Sequence, residues 1–183
     1  MNYTCHSGGC PGADMEWERE GEKYGVKTIA YSFHGHVQEG KNPFVLMGKE
    51  LDEGWKHVLI ADKTLKRNVE SLSSTYARSL LARNWFQVKN SDGIFAIAKS
   101  MTSTTVEGGT GWAVQMAVDS GKFVYVFDQQ SGRWSWYHPS DHVFTYTDKI
   151  PILTENFAGI GTRDINEKGK EAIKKIYYGS FKK

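Results

Sequence analysis

Short apolar runs alternate along this chain with stretches of helical period, and glycine-rich turns join one to the next. Residues 2–6, 26–33, 92–98, 122–128 and 156–162 are rich in β-branched and aromatic residues and read as strands. Helices are expected between them, at Ala13 to about Tyr24 with Gly25 as C-cap, at 48–66, at 73–88, at Trp112–Ser120 before Gly121, and at 166–178. Segments 34–43 and 99–107 read as loops. Residues 133–147 alternate apolar and polar around Pro139-Ser140-Asp141, a hairpin signal. Strands joined through helices rather than tight turns make a mostly parallel sheet covered on both faces. The expected architecture is therefore α/β and Rossmann-like, with a small β-hairpin insertion, in a single domain spanning residues 1–183. A hydrophobic content of 39% and an aromatic content of 13% supply a packed core and exclude a disordered chain.

Charge and cysteines narrow the partners. Lys and Arg total 23 against 21 Asp and Glu, so there is no strong global field for nucleic acid or membrane. Arg67, Arg78, Arg83, Lys89 and Lys99 are interleaved with acids and read as a solvated face. No apolar run has the length of a membrane span, and no signal-peptide core follows Met1. Cys5 and Cys10 flank a Gly-Gly turn without the second pair that a zinc site requires, and are expected as reduced thiols. His34 and His36 lack a third ligand at a defined spacing, so a pocket rim or an oligomer contact suits them better than a metal. A cytoplasmic protein without metal or cofactor is the expectation.

Three glycine-rich segments follow candidate strands: 7–12, 108–111 and 159–161. In a parallel sheet all three reach the same edge, where ligands of such sheets bind. SGGCPGAD and EGGTGWAVQMA each run from strand into helix, offering unpaired N–H groups and a helix dipole to a phosphate. The spacing is neither the dinucleotide fingerprint nor the P-loop, and no Gly-Lys-Ser/Thr follows, which argues against an ATPase. The candidate binding residues are Ser7, Gly8, Gly9, Cys10, Gly12, Gly108, Gly109, Thr110, Gly111, Gly159, Gly161 and Thr162. Arg163 joins them as a guanidinium fork for phosphate. Trp112 could stack a base. Asp14 could bind ribose hydroxyls, act as a general base, or favour the helix N-terminus.

These residues resemble a family. SGGCPGAD is similar to the SGGA-x-GAD/GID element of the SLOG superfamily, which includes the DNA-processing protein A family and the LOG phosphoribohydrolases. Arg83-Asn84 and Glu107-Gly108-Gly109-Thr110 resemble that superfamily's RN…vE…SG-x-x-x-TA tract. FAGIGTR, residues 157–163, resembles the element that usually opens a SLOG domain, but stands near the end here, which implies a circular permutation. The resemblance covers the chain except 34–75 and 129–150. It implies a nucleotide pocket with Arg83 and Asn84 near the phosphate, a structural ion pair being the alternative for Arg83, and a protein that forms homo-oligomers.

Where LOG enzymes carry PGG-x-GT-x-x-E, this chain has Trp112 in place of the threonine, and Val114 and Gln115 where acids are expected. Neither can act as a carboxylate. The expected function is therefore binding without turnover of an ADP-ribose-type or cyclic nucleotide signal, for sensing or, in a phage acting in its host's cytoplasm, for sequestration. Two alternatives stand beside it. One is an N-glycosidase or phosphoribohydrolase using Asp14 or Glu107; the other is DNA binding like that of DNA-processing protein A.

Overall fold

The apolar runs assemble into one eight-stranded sheet in the computed structural model, which describes residues 2–182. The strands are β1 (Thr4–Ser7), β2 (Lys27–Phe33), β3 (Pro43–Leu46), β4 (Gly93–Ala98), β5 (Phe123–Asp128), β6 (Arg133–His138), β7 (Val143–Thr147) and β8 (Asn156–Gly161). Their spatial order is β3-β2-β1-β8-β4-β5-β6-β7. The pairs from β3 across to β5 are parallel, and β6 and β7 add an antiparallel hairpin at the edge. The fold is α/β with a mostly parallel sheet, and the hairpin continues the sheet.

Helices α1 (Ala13–Lys23) and α5 (Glu167–Phe181) cover one face, while α2 (Gly48–Leu65), α3 (Thr75–Lys89) and α4 (Gly108–Asp119) cover the other. Strand β4 shows why both faces need cover. All six of its residues are buried, with Ile94, Ala96 and Ala98 turned to the α2–α4 core and Phe95 and Ile97 to the α1–α5 core. That is the period of two expected of a strand with an apolar layer on each side.

The last strand lies in the middle. β8 pairs with β1 through Asn156–Ala158 and with β4 through Phe157–Gly161. Counted from β8 with the short edge strand β3 left out, the run β2-β1-β8-β4-β5 reads in the 3-2-1-4-5 order of a doubly wound sheet. Phe157 and Ala158 are fully buried, and Ile173, Ile176 and Tyr177 of α5 seal the same core.

Three features depart from the expected elements. Pro43, expected to end a loop, and residues 44–46, assigned to no element, form the edge strand β3; Pro43 is tolerated there because an edge needs no complete ladder of N–H groups. Helix α4 begins at Gly108, four residues before Trp112, so the glycine turn itself is helical. Helix α5 continues to Phe181, whose ring packs on Tyr3 and Tyr24. Among the described residues no helix is long and apolar enough to cross a membrane.

Candidate functional site

Because β1, β4 and β8 run parallel, the segments that leave their carboxyl ends meet at one edge of the sheet. They border a cavity of about 850 Å³. The first segment contributes Cys10 and Asp14, and the second Glu107, Gly108, Gly109, Thr110 and Trp112. The third contributes Gly161, Thr162 and Arg163, and helix α3 adds Arg83 and Asn84. The remaining candidates, Ser7, Gly8, Gly9, Gly12, Gly111 and Gly159, do not line the cavity.

The reason is packing. A Cβ on Gly9 would lie 2.6 Å from Gln38 Oε1, because residues 34–42 fold back over the first turn, and Glu39 N donates to Gly9 O at 2.9 Å. Gly8 leaves room for the Arg83 guanidinium, Gly111 for the Val106 carbonyl and Gly159 for the Trp17 ring. Ser7 donates to Glu18 at 2.6 Å. Gly108 and Gly109 differ: a Cβ on either would meet nothing within 4 Å. The N-cap residue of α4, Glu107, makes no side-chain cap, and its carboxylate accepts instead from Ser100 Oγ. The first N–H groups of this helix therefore face the cavity without a side-chain acceptor.

Arg83 is 5% exposed and forms no ion pair among the described residues. One terminal nitrogen donates to Asn84 Oδ1 at 3.0 Å and Gln87 Oε1 at 2.8 Å; the other donates to Cys10 Sγ at 3.1 Å. Its Nε and the Gln87 Nε2, both buried, have no acceptor. The Arg83 hydrogen bonds go to neutral groups, its nearby counter-charge is the buried Asp14 carboxylate beyond direct ion-pair distance, and the unused donors leave room for a further anion. Asp14 stands near. Burial pushes its carboxyl pKa up, against the pull of Arg83 and of the Cys10, Gly161 and Gly8 N–H groups.

Cys10 and His36 extend this cluster. Cys10 Sγ is 3.5 Å from His36 Nε2, and His36 Nδ1 is 3.2 Å from Ser32 Oγ. Burial raises the Cys10 pKa, the charge of Arg83 opposing it, so the thiol stays protonated. Burial, with Arg83 and Arg163 nearby, pushes His36 down to about 4. A neutral ring accepting the thiol proton at Nε2 donates from Nδ1 to Ser32, which ties residues 34–36 to the first turn. His36 thus serves the wall of the site rather than an open rim.

The site also holds residues that the sequence reading assigned elsewhere. Arg67 donates to Gly108 O at 2.9 Å and Val106 O at 2.6 Å and lies 5.8 Å from the Trp112 ring centre. Trp112 is itself 6% exposed and belongs to the core, so its indole has little surface left for stacking. The other cations of the supposed basic face scatter. Lys89 pairs with Glu53 and Arg78 covers Trp55, whereas Lys99, paired with Asp164, lines the cavity with Arg67. Helix α3 had shown its apolar repeat, but nothing in that repeat tells which face meets a ligand. Set beside protein-family models, curated proteins and solved structures, the chain has no match among any of them.

Proposed function

We propose that this protein binds a nucleotide of the ADP-ribose or cyclic type and holds it without turnover, as a sensor or a sequestering protein of the SLOG kind. One observation carries the reading. Arg83 is buried beside a cavity that the start of α4 also borders, with the Asp14 carboxylate near it but beyond direct ion-pair distance, and its Nε has no acceptor. Guanidinium donors and helix N–H groups together suit phosphate oxygens. Arg163, exposed at the same cavity, adds a second fork. The SLOG assignment draws support from the three glycine segments and from the strand order counted from β8.

The absence of turnover rests on the α4 side chains. Val114 and Gln115 are both buried, and Gln115 Nε2 donates to Asp119 at 2.8 Å, away from any ligand chemistry. One observation favours the hydrolase as a second reading: Asp14 lines the cavity with its pKa raised, as a general acid requires. Incubation with AMP, NAD and cyclic ADP-ribose, followed by denaturation and chromatography, decides between them. Unchanged ligand released from the protein supports binding. Free base or ribose phosphate, accumulating over many turnovers, supports the hydrolase and sinks the proposal.

A further inference from the structure

Helix α3 carries a gradient along the cavity. Its lining residues begin with Ala77, Leu80 and Leu81 and end with Arg83, Asn84 and Gln87. The first three are half-buried and apolar; the last three are buried and polar. Ala77 to Gln87 spans about 15 Å at the helical rise of roughly 1.5 Å per residue. That is about the length of a nucleotide laid along the helix. The turn at Val69–Ser71 and the adjoining Leu72, which also lines the cavity, stand beside the outer, apolar end.

We infer that a nucleotide enters this cavity phosphate first, toward Arg83 and Gln87, and rests its base on an outer wall made by Leu72, Leu80 and Leu81. This assignment rests on the nucleotide reading above and adds the direction of binding and the residues that recognise the base. The inner end supplies donors without acceptors, Arg83 Nε and Gln87 Nε2, and so takes the anion. The outer end supplies apolar surface. Leu72 and Leu81 pack against the core of α2–α4 and hold their positions, whereas Leu80 belongs to neither core cluster. Its side chain lines the cavity without a structural duty elsewhere, which makes it the residue whose contact a base would complete. Around the wall, Asn68 and Ser73 offer polar groups to a ring edge.

The test compares four nucleoside 5′-monophosphates with ribose 5-phosphate by calorimetry, on the wild type and on Leu80→Asn. The best nucleotide should bind the wild type at least about tenfold more tightly than ribose 5-phosphate. Leu80→Asn should remove most of that advantage and leave ribose 5-phosphate within about twofold. Thermal unfolding checks that the variant is folded, and Leu80→Ala, the milder change, replaces it otherwise. If ribose 5-phosphate binds as tightly as every nucleotide, or if Leu80→Asn weakens both alike, the base wall is wrong while phosphate recognition survives. If neither class of compound binds the wild type this assignment falls, and if ADP-ribose and cyclic ADP-ribose also fail to bind, the nucleotide reading falls with it.

Discussion

Residues 7–12 and 108–111 both carry glycines from the end of a strand into a helix, yet the space around them is used in opposite ways. In the first turn the protein fills it: Gln38 and Gly40 lie on Gly9, the Arg83 guanidinium on Gly8, and the backbone of Arg163 on Gly12. In the second turn the space over Gly108 and Gly109 is empty and opens on the cavity. The same composition thus marks close approach of chain to chain in one place and open space beside a cavity in the other. Glycine permits both, because what it supplies is only the absence of a side chain.

The sharpest way to break this comparison is to place the same residue in both turns. Gly12 has φ +100, and a Cβ there would lie 2.5 Å from the Cα and carbonyl oxygen of Arg163. Backbone cannot swing aside as a flexible side chain can. Gly12→Val should cost about 2–5 kcal/mol through strain and overpacking, or prevent folding altogether. Urea unfolding at wild-type midpoint would show that the first turn is not built on chain contacts.

Gly109→Val should do the reverse. Its backbone needs no left-handed angle and its Cβ meets nothing within 4 Å, so stability should stay within about 1 kcal/mol. Binding of ADP-ribose or AMP should fall about a hundredfold or more, since the branched side chain stands where phosphate must approach the helix N–H groups. Calorimetry on the folded variant returning wild-type affinity would remove the second turn from the site.

How much of this was legible follows the same division. The parallel sheet, the central β4 run and the convergence of three glycine segments are local patterns repeated along the chain, and periodicity reads them directly. Residues 156–162 read as a strand from their own pattern, but nothing in that pattern says that β8 lies between β1 and β4. What stayed hidden depends on long-range contacts without period. Cys10 meets His36 across 26 positions and Arg83 across 73, and nothing local announces either. Arg67 read as one of a solvated set, but its hydrogen bonds to Val106 and Gly108 make it a brace of the second turn. Strand β3 was missed because four residues beginning with proline carry too little pattern to stand out from a loop.

Asp14 joins the two turns, since it starts α1 yet lines the same cavity as α4. Its backbone partners are Cys10 and Gly8 in the first turn and Gly161 at the end of β8, and Cys10 N donates to Oδ2 at 3.3 Å. Asp14→Asn should lower nucleotide affinity by roughly ten- to a hundredfold, the worth of one charged hydrogen bond of about 1.5–3 kcal/mol. No base or ribose phosphate should be released by either form. A variant that binds as the wild type does, while a wild-type turnover stops, would make Asp14 catalytic and overturn the binding-only proposal.

The smallest expected effect is a pH dependence confined to the first turn. His36 is part of the wall there, hydrogen-bonded to Cys10 and Ser32, and its pKa is pushed from 6.5 to about 4 by burial and by the positive Arg83 and Arg163. A base whose folded pKa is depressed takes up protons more readily when unfolded. The stability it contributes is therefore present above pH 6.5 and is lost as pH falls from 6.5 toward 4. A shift of that size would be worth about 3 kcal/mol for a fully buried group, and the part-exposed ring reduces it to about 1 kcal/mol. His6, also pushed down to about 4 by burial, adds a loss over the same window from within β1. His36→Gln should keep a polar contact to the thiol and flatten the acid limb of the stability curve by its own share, leaving the His6 share in place. The two turns then separate once more, because Gly109→Val should leave that limb unchanged. An identical acid limb in wild type and His36→Gln would mean that His36 is not held neutral in the folded protein, and that the link from residues 34–36 to the first turn is weaker than its hydrogen bonds suggest.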